Sequence, residues 1–411
     1  MRGMLVFIST LALAACGLNG TDRNAERDGP AEGASATRAG ATDNLADTMA
    51  SRDGQMPANE IVDPERRPIM QAQVVLDRIG FMPGVVDGKM GMSTVNALKG
   101  FQEANGLPVT GKIEEATTRA LSRWQAIPAT RLVTIPADWG STTYYEVPDK
   151  PRDQARMQQL GYASLDERLA ERFHTTVETL KALNPGGRPA GMPGGPASAT
   201  QAAQTNGPAS PSPASGPNEG VEQFTPQPGP ASFFKAGQQI RVPNVGADRI
   251  EPGKIEDPAW QRTLASLGVG TVQPKAARLV VSKSGNTLKT YDENGKLTAI
   301  FTVSSGSSQY PLPLGNWTIK GKSYNPDYSF DPALIEGASA SDGKHRLPPG
   351  PNSPVGVVWI DLSKDHYGLH GTPEPERIGR AQSSGCVRLT NWDAARLAQM
   401  VSASTKVEFV K

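Results

Sequence analysis

Cys386 is the only cysteine beyond residue 16 of a 411-residue chain, and His370 is one of four histidines. A thiol at its reference pKa of ~8.5 is only a few per cent ionised near neutrality, so a nucleophilic cysteine needs a base, a neighbouring cation or a helix N-terminus. His370 can be that base, and Gly371 and Thr372 let the chain turn closely past its ring. Ser383, Ser384 and Gly385 give Cys386 an approach of small residues. Gly385 has no side chain, so its backbone N–H and that of Cys386 can point together at a developing oxyanion. Arg388 shares a face with Cys386 if the segment is extended, and its guanidinium offers a two-pronged contact to a carboxylate. Two bland roles compete: a salt bridge fixing the loop for Arg388, and burial as a small apolar side chain for Cys386. No metal site emerges, because three histidines and one thiol at these spacings match no zinc pattern. No cofactor is expected.

These residues need elements to hold them. After Pro274 the chain reads as β: "ARLVVSKSGNTLKTYDENGKLTAIFTVSSGS" alternates apolar and polar residues around Asn294-Gly295, a type I′ hairpin signal. "GNWTIKGKSY", "VGVVWIDLS" and "YGLHG" are further strands, and Thr390-Asn391-Trp392-Asp393 carries a capping-box pattern ahead of "AARLAQMV". The thiol therefore falls between a strand and a helix start. His366 is expected at the surface, and His345, within the polar stretch 321–354, in a loop or lid over the site.

Upstream the chain changes character several times. Gly (43) and Pro (35) make about a fifth of it, where roughly 12% is usual, which implies long linkers. The 42 basic and 41 acidic residues nearly cancel without blocks of like charge, so nucleic acid is not an expected partner. "MRGMLVFISTLALAACGLNG" places one Arg before an apolar run too short to span a bilayer and reads as an export signal over residues 1–15. Residues 16–64 lack apolar periodicity and are expected to be a disordered tether. From 65 to 125 helices are expected: Ala72, Val75, Leu76 and Ile79 fall on one stripe, as do Thr117, Ala120, Leu121 and Trp124, with helix starts at Ser93 or Thr94 and at Glu114. Residues 144–245 pair "LDERLAERFHTTVETLKALNPG", read as two helices, with a short strand at "FKAGQQIRVPNV", around a Pro/Ala/Gly-rich insert at 186–231. His174 in this region is expected at the surface or as a cap.

Three resemblances give these segments names. "HG", eleven intervening residues and "SSGCVR" resemble the signature of the YkuD-type L,D-transpeptidases over residues 275–411. The resemblance implies Cys386 as nucleophile, His370 as base, Gly371 as the residue whose carbonyl orients the imidazole, and Ser384 to Cys386 as the oxyanion loop. Many members have His where this chain has Ser384. "DG..G..T" and "FQ" at Phe101-Gln102 resemble the three-helix peptidoglycan-binding domain. Residues 144–245 resemble a LysM module, although the usual "GDTL" opening is missing. Leu13-Ala14-Ala15-Cys16 resembles a lipobox, which implies lipidation of Cys16, a membrane anchor and a periplasmic, outer-membrane address.

The fold class expected is thus multidomain: a mainly-β YkuD-like catalytic domain, a small all-α peptidoglycan-binding domain and an α+β LysM-like module. The family implies attack on the amide after the third stem residue of peptidoglycan, release of D-Ala, and a 3-3 cross-link formed from the acyl-enzyme. An L,D-carboxypeptidase on the same site and a non-catalytic wall tether are the alternatives. A papain-like protease reverses the order of Cys and His.

Overall fold

The computed structural model describes residues 61–192, 224–246, 250–308, 310–335, 338–380 and 385–411. The export signal with Cys16, the 16–60 part of the expected tether, the 193–223 part of the insert and Ser384 lie outside the described residues.

Three helices open the described chain: α1 (Pro68–Arg78), α2 (Met92–Ala104) and α3 (Glu115–Leu121). Their apolar stripes turn inward, with Val75, Leu76, Leu98, Phe101 and Trp124 all buried. Buried glutamines tie the turns between them. Gln73 accepts from the N–H of Gly88 (2.7 Å) and donates to Thr94 Oγ1 (3.0 Å), and Gln102 accepts from the N–H of Gly111 (2.7 Å) and donates to Thr117 Oγ1 (2.9 Å). These bonds satisfy loop backbone that would otherwise be buried unpaired.

A small β-α-α-β unit follows. β1 (Thr130–Thr134) pairs antiparallel with β2 (Gln239–Pro243), and between them come α4 (Leu165–Arg172) and α5 (Val177–Leu183). Both helices have side-chain caps, Ser164 accepting from Glu167 N–H and Thr176 from Thr179 N–H, each at 3.1 Å. The first strand lies ahead of residue 144, where alternation alone gives little signal. His174 is not at the surface. It sits at a positive φ of 51° in the turn between the helices and is fully buried, because its ring stacks on Trp392 with centroids 4.8 Å apart.

The β region is an eight-stranded sheet: β3 (Arg278–Ser282), β4 (Thr287–Tyr291), β5 (Leu297–Thr302), β6 (Gly315–Tyr324), β9 (Val358–Leu362), β10 (Gly368–His370), β11 (Val387–Arg388) and β12 (Lys406–Val410). Its order is β11-β10-β9-β6-β12-β3-β4-β5. A separate hairpin joins β7 (Tyr328–Phe330) to β8 (His345–Leu347), so His345 stands in a strand. The helices α6 (Pro258–Leu267) and α7 (Asn391–Met400) cover one face, burying Trp260, Leu264, Trp392 and Leu397 against Leu279, Phe301, Ile360 and Phe409. The β4–β5 hairpin forms without a two-residue type I′ turn at Asn294-Gly295. The Asp292 carboxylate accepts from the N–H groups of Asn294 and Lys296, both at 2.9 Å, so the loop widens and only Gly295 takes a positive φ (76°) within it.

The segments do not hang as separate beads. Leu297 and Ile300 of β5 belong to the same buried cluster as Leu76, Phe101, Leu169 and Ile240. Phe81 bridges to Ile300, and Met82 N–H donates to Ile300 O (2.9 Å), so the sheet edge is covered by the helical segment. Gly100 makes this possible, since a Cβ there would stand 2.5 Å from Ile300 Cγ2. At the centre of the contact, Asp77 of α1 receives Arg396 Nη2 at 2.9 Å and Nη1 at 3.1 Å from α7, and His174 Nδ1 at 3.2 Å. His174 Nε2 lies within hydrogen-bond distance of Leu267 O (3.0 Å), so both ring nitrogens are engaged.

Two predictions follow from this buried cluster. Asp77→Ala leaves Arg396 buried without its carboxylate and should lower the unfolding free energy by about 3–5 kcal/mol in urea titrations; a loss under about 0.5 kcal/mol, the size of an ordinary surface change, would refute a structural role. Asp393, beside the pair, is pushed up to about 7 by burial and by the Asp77 charge, against Arg396. The folded chain therefore holds this proton more tightly than the unfolded one. That stability is complete below the unfolded value of 3.8 and drains away as pH rises toward about 7. Asp393→Asn should flatten the loss of stability across that interval, and equal losses in both proteins would count against the assignment.

Candidate active site

Two strands bring the predicted residues together. β10 and β11 pair in parallel, Leu369 opposite Val387 and His370 opposite Arg388. Leu369 and Val387 are buried in the core, so alternation sends His370 and Arg388 to the other face of the sheet. One step back along that register, Cys386 comes beside Gly368. Parallel pairing is possible here because the chain between His370 and Val387 is long enough for a crossover, with a short helical turn at Pro375–Arg377 within it.

His370 is held from three sides. Its Nδ1–H donates to Gly371 O at 2.7 Å; a carbonyl can only accept, which leaves Nε2 unprotonated in the neutral ring. Trp359, its partner across β9, stacks on the imidazole with centroids 5.4 Å apart. Leu389 N–H donates to His370 O at 2.8 Å. Burial pushes the imidazole down to about 3, aided by the Arg388 charge and opposed by the Gly371 bond. The ring is therefore neutral across the physiological range.

Cys386 is half-buried, and its Sγ–H donates to His366 O at 3.6 Å. Burial pushes the thiol up, opposed by a hydrogen bond from the Gly368 backbone and by the Arg388 charge. At rest it is a thiol. Gly385 takes φ 107°, and a Cβ there would stand 2.8 Å from the Tyr367 ring, so only glycine fits. Arg388 Nε is buried and has no hydrogen-bond partner among the described residues. Its backbone is fixed by a two-way bridge to Ser304, the Arg388 N–H donating at 2.8 Å and the Ser304 N–H at 3.1 Å.

Sequence reasoning missed the aromatic wall. Tyr328, on the β7–β8 hairpin, and Tyr367 both lie within electrostatic reach of Cys386, whose charge would raise both phenols beyond the effect of their burial. Trp359 was legible as an outward residue of the alternating "VVWIDL", whereas nothing in the polar stretch 321–354 marked Tyr328. His366 is exposed and contributes its carbonyl rather than its ring. A cavity of about 850 Å³ beside Asp77, Met82 and Lys275 contains neither Cys386 nor His370.

Comparison with known proteins places this site in a family. The L,D-transpeptidase catalytic domain, YkuD, matches residues 276–409, and the "Putative peptidoglycan binding domain" matches residues 65–121. A Fuscovulum blasticum protein named "Putative L,D-transpeptidase in ATP synthase subunits region ORF 5" is 30% identical over 181 residues, which is 43% of this chain and 90% of that protein. The "Putative L,D-transpeptidase YkuD" of Bacillus licheniformis is 32% identical over 130 residues, 32% of this chain. The chain spans 63% of the length of that relative. Among solved structures, L,D-transpeptidase 3 from Mycobacterium tuberculosis with a faropenem-derived adduct is 19% identical over 33% of this chain and 60% of that one, with a TM-score of 0.28, too low to bear on the fold. The match to the F. blasticum protein, over nearly its whole length, and the YkuD match around Cys386 and His370 make this chain a member of the YkuD family of L,D-transpeptidases.

Proposed function

We propose that the chain is a peptidoglycan L,D-transpeptidase in which Cys386 is the nucleophile and His370 the general base. The observation that carries this reading is the single-proton imidazole of His370, tied at Nδ1 to Gly371 O, on the same sheet face as Arg388 and the strand that follows Cys386. In this reading the protonated Cys386 thiol and the neutral His370 imidazole are the resting pair. Transfer of the thiol proton to Nε2 creates a thiolate and an imidazolium together, and each charge stabilises the other. Burial and, after it, the Arg388 charge hold His370 down. A substrate carboxylate paired with the guanidinium would remove the opposition of that charge and favour proton transfer once substrate is bound.

The thiolate then attacks the carbonyl carbon of the third stem residue, the C–N bond to D-Ala breaks, and the imidazolium returns its proton to the departing amine. The N–H groups of Gly385 and Cys386, with Ser384 in the same loop, would receive the oxyanion. An amine from a neighbouring stem resolves the acyl-enzyme as a 3-3 cross-link; water in its place gives the carboxypeptidase outcome. A groove of about 520 Å³ supports a wall-bound substrate: it runs between Asp87, Ser93 and Thr94 of the peptidoglycan-binding segment, Thr179 of α5, and Glu376 and Arg380 of the loop joining His370 to Cys386. The β-α-α-β order from β1 to β2 favours a LysM-like role for that unit. Cys16 is our candidate for a lipid anchor, with the chain on the periplasmic side of an outer membrane.

Cys386→Ala should abolish D-Ala release from tetrapeptide stems while leaving sacculus binding intact, with mass spectrometry separating cross-linked dimers from free tripeptides; continued turnover would remove Cys386 from the nucleophile's role. His370→Ala should cost about 100- to 10,000-fold in turnover. Ring ¹⁵N shifts should find His370 neutral throughout the mildly acidic range, and Arg388→Ala should raise its midpoint. A wild-type midpoint near the ordinary ~6.5 would contradict the burial argument.

A further inference from the structure

We propose that Glu171, on the β-α-α-β unit and outside the residues matched by the catalytic family, is a positioning residue for His370 that acts through Asn391 and Gly371. The inference rests on the reaction read above, although its geometry does not.

Glu171 is a buried acid on α4, and both of its oxygens are engaged. Tyr162 OH donates to Oε2 at 2.6 Å, and Asn391 Nδ2 donates to Oε1 at 2.7 Å. Burying a carboxyl at this place is unfavourable: desolvation pushes it up to about 7, the Glu167 and Glu376 charges push the same way, and the two hydrogen bonds oppose them. An apolar side chain would fill the space at lower cost. The carboxyl offers what an apolar side chain lacks, acceptors for Tyr162 and for Asn391.

Asn391 opens α7 and is fully buried. Its Nδ2 donates to Glu171 and to Pro351 O (3.0 Å), and its Oδ1 accepts from Val357 N–H at 3.3 Å. The same Oδ1 lies against Gly371 and Gly356, so close that a Cβ on either glycine would overlap it. An amide can be turned end for end with little change of shape, and only its partners decide which end is oxygen. Glu171 decides it here together with Pro351 O and the Val357 N–H, and the Glu171 contact is the shortest of the three. If the amide flipped, an NH₂ group would face the Val357 N–H, donor against donor, and would press on Gly371. Gly371 is the residue whose carbonyl receives the His370 Nδ1–H at 2.7 Å and so selects the imidazole tautomer with a basic Nε2. The path from Glu171 to the base therefore has three contacts, and each is fixed by chemistry or by lack of space.

The test compares Glu171→Ala with Glu171→Gln in the full chain, reading kcat and KM for D-Ala release together with the His370 Nδ1–H signal by NMR. Glu171→Ala should lower kcat by about 10- to 100-fold, as for a misplaced catalytic group, with KM nearly unchanged and the Nδ1–H signal shifted or broadened. Glu171→Gln keeps an acceptor for Asn391 and should recover most of both. Should Glu171→Ala fail to fold, Asn391→Ala carries the same expectation for kcat and the signal. The proposal is overturned if Glu171→Ala changes only the melting temperature, or if Glu171→Gln is as impaired as Glu171→Ala. A wild-type chain that releases no D-Ala would instead refute the reaction, while the His370 signal would still report whether Glu171 positions the ring.

Discussion

Asp77 has no access to water, and the rest of the structure has to accommodate that fact. An ionised carboxylate removed from solvent loses several kcal/mol of hydration, which only well-placed opposite charge and hydrogen bonds can offset. Arg396 grips both of its oxygens and His174 one of them. These three residues come from three segments: the helical domain, the turn of the β-α-α-β unit and the last helix of the catalytic domain. A slip of any one of them by a single turn would leave a bare charge in the core. The cluster therefore admits one docking of the segments, and the apolar surfaces of Phe81, Phe101, Leu297 and Ile300 close around it.

That docking reaches the chemistry by two routes. Helix α7 starts three residues after Arg388, and its first two residues lean on the upstream unit, Asn391 through Glu171 and Trp392 through the stacked ring of His174. The β7–β8 hairpin, which brings Tyr328 near Cys386, packs Phe330 and Leu347 against Met157 and Leu160. Leu160 in turn donates to Pro349 O and accepts from Asn352 N–H, both at 2.9 Å. The upstream segments thus support the elements that carry the site. A mere spacer would have no reason to supply buried polar partners to the catalytic domain.

Local patterns in the sequence located the strands of the β domain, the helical stripes at 72–79 and 117–124, the Thr390 cap and the clustering of His370, Gly371, Gly385, Cys386 and Arg388, because each depends on residues near one another in the chain. The hairpin turn at Asp292–Lys296 failed at the same scale: a side-chain oxygen outcompeted the intrinsic preference of Asn-Gly. What could not be read is what depends on distance. Asp77 and Arg396 are separated by 319 positions, and nothing local distinguishes a histidine destined to stack on Trp392 from one on the surface. High Gly and Pro content points to long linkers, yet the stretches 126–143 and 246–274, between the expected domains, carry Trp139 and Trp260 into packed contacts.

The electrostatics of the site have a consequence for selectivity. Thiol reactivity toward oxidants and stray electrophiles requires the thiolate, as acyl transfer does. A cysteine kept ionised by a permanent cation would be vulnerable at all times. Here burial raises the thiol and lowers the imidazole, so the charged pair is disfavoured. Arg388 acts on both: its charge favours the thiolate but opposes the imidazolium. Neutralising it with a bound carboxylate relieves the base and removes some support from the thiolate, so a net gain requires that the effect on the buried ring exceed that on the half-buried sulfur. The shorter reach of solvent to His370 favours that outcome, because screening is weakest where water is absent. Under the proposed reaction, recognition of a carboxylate would then be a condition for activating Cys386 as well as for binding.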